Sequence, residues 1–152
     1  MAVVEREHPV MYGEPVDITA FLQRPLVARV ATNGPTLRPI WYLYEEPTFF
    51  WLTDTSSYLH EAVLRGEHLV LVVDDCDIST GEVIHVRARG QAEIIAVDKP
   101  RAMRKFARYL GGDESRWDPR FVPSLALPTT RMCRFTPSSM EAADVSFNVR
   151  SR

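Results

Sequence analysis

Two short segments carry the residue types that bind anions. Arg38-Pro39-Ile40-Trp41 offers a guanidinium, which can grip a phosphate through two parallel hydrogen bonds. Leu52-Thr53-Asp54-Thr55-Ser56-Ser57 offers hydroxyls just ahead of a helical pattern that opens at Tyr58. A helix start favours negative charge, because its first amides lack partners within the helix and the positive end of the dipole lies there. The same residues have a plainer reading: the serines cap the helix, and Arg38 pairs with a carboxylate. Spacing alone leaves both open.

Other chemistry is excluded by pattern. There is no GxxxxGK[ST] loop, GxGxxG, GxSxG or HExxH. Asp75-Cys76-Asp77-Ile78-Ser79 resembles the start of a calcium loop, but its sixth position is Thr80 rather than glycine and its twelfth is Val86 rather than glutamate. The four histidines lack zinc spacing. Tyr42, Tyr58, His60 and His85 are candidate proton donors to a substrate. For the histidines, a surface or hydrogen-bonded role is the first expectation. Trp41, Trp51 and Trp117 read as packing residues before they read as walls of a planar pocket. Cys76 and Cys133 form no CxxC pair and read as two thiols in a reducing compartment.

The 152 residues suit one domain, 1–152, with residues 1–13 as a flexible N-terminal arm. A net charge of −2 argues against a nucleic-acid or anionic-membrane partner. Charges near Met1 occupy the place where a signal peptide needs an apolar core, and no apolar run approaches the ~18–20 residues of a membrane span. The expected compartment is the cytoplasm.

The elements that must position the two segments follow from periodicity and turn chemistry. Asp17 opens a short helix through Ile18, Phe21 and Leu22 that ends before Pro25. Strands are expected over residues 26–32 and 36–44 around an Asn33-Gly34-Pro35 turn, then over 48–53. A helix follows over 58–65, capped by Ser56 or Ser57 and closed by Gly66. Residues 68–73 read as a buried strand and 74–80 as a loop. Residues 82–97 read as one long strand with Ile84, Val86, Ala88, Ala92 and Ile94 on its apolar face. Gly90 within it predicts a bulge or a close backbone approach. A helix opens at Asp98 with an apolar stripe of Met103, Phe106, Ala107 and Leu110, the cations Arg101, Arg104, Lys105 and Arg108 lying elsewhere around it. A helical piece at 119–125 and strands at 131–136 and 141–147 complete the chain. Hairpin-linked strands dominate, which predicts a mainly β fold: an antiparallel barrel with peripheral helices.

The order and spacing of these segments resemble the flavin and deazaflavin oxidoreductase branch of the pyridoxamine 5′-phosphate oxidase-like split-barrel proteins. The resemblance is carried by residues 26–32, by Arg38-Pro39-Ile40-Trp41-Tyr42-Leu43-Tyr44, by 49–57 and the helix after it, by 69–74, by the strand around Arg87-Ala88-Arg89-Gly90, and by the closing segment 131–144. It implies an FMN-binding split barrel, with the deazaflavin coenzyme F420 as the alternative cofactor. It implies a homodimer with cofactor sites at the subunit interface, and hydride transfer to or from a small organic substrate. By resemblance, the strand from Arg38 to Trp41 lies along the flavin ring. Thr53 and Ser57 contact the phosphate or its linker, Leu52, Ser56 and Tyr58 beside them are further cofactor-binding candidates, and Arg87 and Arg89 face the interface or the cofactor tail. Many relatives open this helix with Ser-Arg-Lys, where this chain has Ser57-Tyr58-Leu59. Loss of that basic pair points to an alternative: a split-barrel ligand-binding or dimeric interaction protein without tight cofactor binding.

Overall fold

The structure, a computed structural model, describes residues 2–3 and 15–149. The expected N-terminal arm therefore lies outside the described residues, apart from Ala2 and Val3. Ten strands and four α-helices follow one another as β1 (Ala2–Val3), α1 (Ile18–Leu22), β2 (Val27–Ala31), β3 (Leu37–Trp41), β4 (Leu43–Glu45), β5 (Thr48–Asp54), α2 (Tyr58–Leu64), β6 (Leu69–Asp77), β7 (Glu82–Gly90), β8 (Ala92–Ile95), α3 (Lys99–Leu110), α4 (Phe121–Ser124), β9 (Thr130–Phe135) and β10 (Ser139–Asp144). The strands form a six-stranded sheet, ordered β1-β10-β7-β6-β2-β3, and a four-stranded sheet, ordered β4-β5-β9-β8. All pairs are antiparallel except β1 with β10. The mainly β class with peripheral helices is as the sequence predicts. Among the described residues no ladder joins the two sheets into a closed barrel.

Two of the passages between the sheets are single-residue corners, and both divide segments that read as single strands. The first lies at Tyr42, between β3 and β4, so the 36–44 strand becomes two. The second lies at Gln91, between β7 and β8, so the 82–97 strand becomes two. An unbroken apolar run, Ile40-Trp41-Tyr42-Leu43-Tyr44, passes through the first, and period-two alternation passes through the second, which is why the sequence hides them. At the second corner a side chain on Gly90 would meet the Ser138 amide nitrogen at 3.0 Å and the Pro137 Cα at 3.3 Å. This is the close backbone approach that the glycine predicts.

A second correction concerns residues 74–80. The chain does not leave the sheet at Asp74. β6 runs on to Asp77, paired with β7 as far as Glu82. The acidic side chains are tolerated because they lie at a partly solvated hairpin and meet arginines: Asp74 binds Arg29 at 2.5 Å, and Asp75 and Glu82 share Arg24 at 3.3 and 2.8 Å.

The core has two layers. Between the sheets pack Val30, Tyr44, Phe49, Trp51, Leu71, Val86 and Phe135, with Phe21 and Leu22 of α1 and Leu59 and Val63 of α2. The far face of the four-stranded sheet buries Leu43, Phe50 and Met132 under Ala102 and Phe106 of α3, with Trp117 and Leu125. Buried apolar area of this kind contributes roughly 25 cal/mol per Å². The far face of the six-stranded sheet differs. Cross-strand register places Leu37, Ala31, Val70 and Arg89 in one row and Pro39, Arg29, Val72 and Arg87 in the next, and every one of them is exposed or half-buried.

Candidate functional site

The site is assembled from β3, the end of β5 and the start of α2. β3 is an edge strand of its sheet and lies against β5. Edge placement accommodates Pro39, which has no N–H to give a ladder. Arg38 pairs with Val30 and so points to the core side of the sheet. It lies near the open end of the strand and is exposed. Among the described residues its guanidinium has no hydrogen-bond or ion-pair partner. The turn before β3 reaches α2 directly: a side chain on Gly34 would fall 2.0 Å from the Tyr58 hydroxyl. Tyr58 thus covers the turn, with Arg65 over its ring at 5.2 Å, rather than standing alone in solvent.

Ser57 is the N-cap of α2, with its hydroxyl accepting from the His60 amide at 3.1 Å. Its own amide donates to the Asp54 carbonyl at 2.9 Å. Of the four amides that a helix start leaves without intrahelical partners, those of Tyr58 and Leu59 remain. Thr53 Oγ1 and Ser57 Oγ lie 3.0 Å apart. One of their two protons makes that bond, so the other can serve an outside acceptor.

Asp54 works against an anion here. It accepts from the Ser56 amide at 2.8 Å and the Ser56 hydroxyl at 2.6 Å. The Ser56 hydroxyl, then its amide, then the Thr129 hydroxyl hold the Asp54 carboxyl down at about 2, so it is ionised at neutral pH. The arrangement recurs at Asp77 with Ser79 and at Asp113 with Ser115, where the hydroxyl bonds are also 2.6 Å. It is a turn device of Asp-x-Ser, and it commits Ser56 to the loop. The residues therefore fit a phosphate-bearing cofactor through Arg38, two amides and one hydroxyl, with one carboxylate nearby.

The other predicted site residues are placed as follows. Ile40 is half-buried against the core, and Leu52 packs on the second cluster. Trp41 lies parallel to Tyr109, with ring centroids 4.5 Å apart, and Phe121 stacks on it at 5.9 Å. Arg87 is ion-paired to Glu141. Arg89 is exposed in the same outer face, while Arg38 belongs to the opposite one. Arg38 follows the turn that meets Tyr58, Thr53 and Ser57 bond to each other, and Arg87 and Arg89 lie on the opposite face of the sheet from Arg38. Leu59 is 4% exposed and belongs to the core.

Three buried or half-buried polar groups are not evident from the sequence pattern. His60, a candidate proton donor, is 5% exposed, and among the described residues its Nδ1 has no hydrogen-bond partner. Arg108 donates to the carbonyls of Tyr42 at 3.1 Å and Leu22 at 3.0 Å, and to that of Arg24. Lys105 was placed outside the helix stripe by the sequence, yet it is 6% exposed. Burial pushes its ammonium down to about 8. Both cysteines are free; burial pushes the Cys133 thiol up to about 12, which removes it as a nucleophile. Among the described residues no cluster suits a metal ion, and no helix is long and apolar enough to cross a membrane.

The pyridoxamine 5′-phosphate oxidase family model matches residues 14–143. Solved structures share the fold. A conserved hypothetical protein from Mycobacterium tuberculosis superposes with a TM-score of 0.72 at 16% identity, over 96% of this chain and 98% of that one. An FAD binding protein from Mycobacterium smegmatis gives 0.58 at 16% identity, over 88% and 100%. An F420 reductase gives 0.59 at 15% identity, over 84% and 98%. No curated protein matches the chain in sequence. The family match runs from the approach to α1 into β10, and the chain belongs to the pyridoxamine 5′-phosphate oxidase family.

Proposed function

We propose that this protein is an oxidoreductase that binds FMN, or the deazaflavin coenzyme F420, and moves a hydride to or from a small organic substrate. The observation that carries the reading is Arg38: an exposed guanidinium without a partner among the described residues, on an edge strand whose turn touches the start of α2. A phosphate there meets a charge-assisted donor from Arg38, the amides of Tyr58 and Leu59, and a hydroxyl from the Thr53–Ser57 pair. The unpaired edge of β3 offers backbone groups to the polar rim of a planar ring. A bound flavin supplies the hydride chemistry, and the chain supplies binding, orientation and exclusion of water.

Self-association belongs to the same reading. The outer face of the six-stranded sheet exposes Leu37 by 62%, together with Val27 and Pro39. A second copy on this face would bury them and bring a partner's arginines toward the site. Sedimentation at micromolar concentration should find a dimer.

A second reading has its own support. Leu59 lies in the core and Asp54 stands ionised beside the helix start, which favours a split barrel that keeps the architecture without tight flavin binding. Titrating FMN and F420 separately, with fluorescence as readout, divides the two. The oxidoreductase reading expects one of them to bind below ~100 μM. Binding of neither at that level leaves the second reading.

A further inference from the structure

We infer that Tyr109 is a positioning residue for the β3 edge, through a hydroxyl wedged into the ladder where that strand leaves its sheet. The inference rests on the proposed flavin site, because the β3 edge is the part of that site it would align.

The last pair of the β2–β3 ladder is Val27 with Trp41. The next antiparallel pair would be Leu26 with Tyr42. Instead the Tyr42 amide donates to the Tyr109 hydroxyl at 3.1 Å, and that hydroxyl lies 2.7 Å from the Leu26 carbonyl, to which it donates. One oxygen replaces a direct chain-to-chain bond. The insertion holds the strands apart where β3 turns into β4. The same side chain lays its ring on Trp41, with planes 2° apart. Backbone at Tyr42 and side chain at Trp41 are therefore both set by one residue of α3. Arg108, its neighbour, donates to the Tyr42 carbonyl and fixes the other side of the corner. Burial raises the Tyr109 hydroxyl above its usual range, so it remains a donor at neutral pH. A binding edge works only if held within fractions of an ångström, and such precision comes from supporting groups that are themselves locked.

Tyr109→Phe keeps the ring stack and removes the bridging oxygen. The variant is compared with the wild-type protein by amide exchange at Tyr42, by FMN titration and by the visible spectrum of bound FMN. Met140→Ala, a core truncation on β10 with β7, β6 and β2 between it and β3, serves as a control for loss of stability. The expected result is faster exchange at Tyr42, FMN affinity lower by about tenfold and an altered flavin band, with Met140→Ala changing neither affinity nor spectrum. Unchanged exchange at Tyr42 would overturn the wedge. Faster exchange with wild-type affinity and spectrum would overturn the positioning role and leave the flavin reading standing. A wild-type protein that takes up no FMN or F420 would remove both together.

Discussion

The indole of Trp41 and the phenol of Tyr109 lie face to face, 4.5 Å between centroids and 2° from parallel. This contact joins the edge strand β3 to the helix α3 and leaves Trp41 packed by its own chain on that face. Aromatic pairs of this kind add about 0.5–1.5 kcal/mol beyond the area they bury. Trp41→Leu, which keeps much of the bulk, should lose about that amount, read as a shift in the urea midpoint. A midpoint equal to that of the wild type would show the stack to be energetically idle.

Arg108 should matter more than any surface cation. Its guanidinium serves three backbone carbonyls, at Tyr42, Leu22 and Arg24, and lies 4.9 Å from the centre of the Tyr42 ring. Arg108→Met leaves the Leu22 carbonyl in a half-buried place without its donor, while the Tyr109 hydroxyl still serves the Tyr42 carbonyl at 3.2 Å and the Leu26 amide still serves that of Arg24 at 2.8 Å, so the cost should be roughly 1–3 kcal/mol. Arg120→Met removes an arginine paired only to Asp118 on an open surface and should change little. Similar losses from both would contradict the role given to Arg108.

Lys105 gives a prediction with a sign. Its charged form is disfavoured by burial, and its folded value of about 8 lies below the ordinary 10.5. Between those values the unfolded chain holds the proton and the folded chain has lost it, so stability rises with pH across that window. Below it the folded protein carries the full cost of a buried charge. Lys105→Met should therefore stabilise the protein at pH 7 by about 1–3 kcal/mol, and the gain should fade as pH climbs towards 10.5. A pH-independent effect, or a loss at pH 7, would show that the ammonium is better solvated than its burial implies.

Two glycines separate a nominal clash from a real one. An added methyl at Gly34 meets the Tyr58 hydroxyl at 2.0 Å, but Tyr58 is 39% exposed and can swing away. An added methyl at Gly90 meets backbone at 3.0 and 3.3 Å, where nothing can give without moving the second corner. Gly90→Ala should cost roughly 1–3 kcal/mol and Gly34→Ala under about 1 kcal/mol, by chemical denaturation. The reverse order would mean that Tyr58 is held harder than its exposure suggests.

The local parts of this fold are written locally. Asp17, Ser57 and Asp98 each cap the helix that their sequence context predicts. The corners at Tyr42 and Gln91 are not, because the apolar run at the first and the alternating pattern at the second read the same whether one strand continues or changes sheet. The burial of Lys105 is hidden for a related reason: a helix stripe is drawn from apolar residues alone, and the four-carbon stem of a lysine packs among them although its charge argues for the surface. The candidate site was half legible. The hydroxyls before α2 and the arginine on β3 can be read from spacing, and an anion between them is what is proposed. The ion pair of Arg87 with Glu141, the Asp-x-Ser turn that commits Ser56, and the wedge at Tyr109 all depend on partners tens of residues away or on side-chain rotamers that spacing does not encode.

If Arg38 and the start of α2 hold an anionic tail, comparing FMN with riboflavin isolates that tail. Fluorescence titration of both ligands is made against the wild-type protein and Arg38→Ala. The wild type should prefer FMN by at least about tenfold and Arg38→Ala should lose most of the preference, as loss of one charge-assisted contact requires. Equal affinities for FMN and riboflavin in the wild type, or a preference that survives in Arg38→Ala, would contradict that hold.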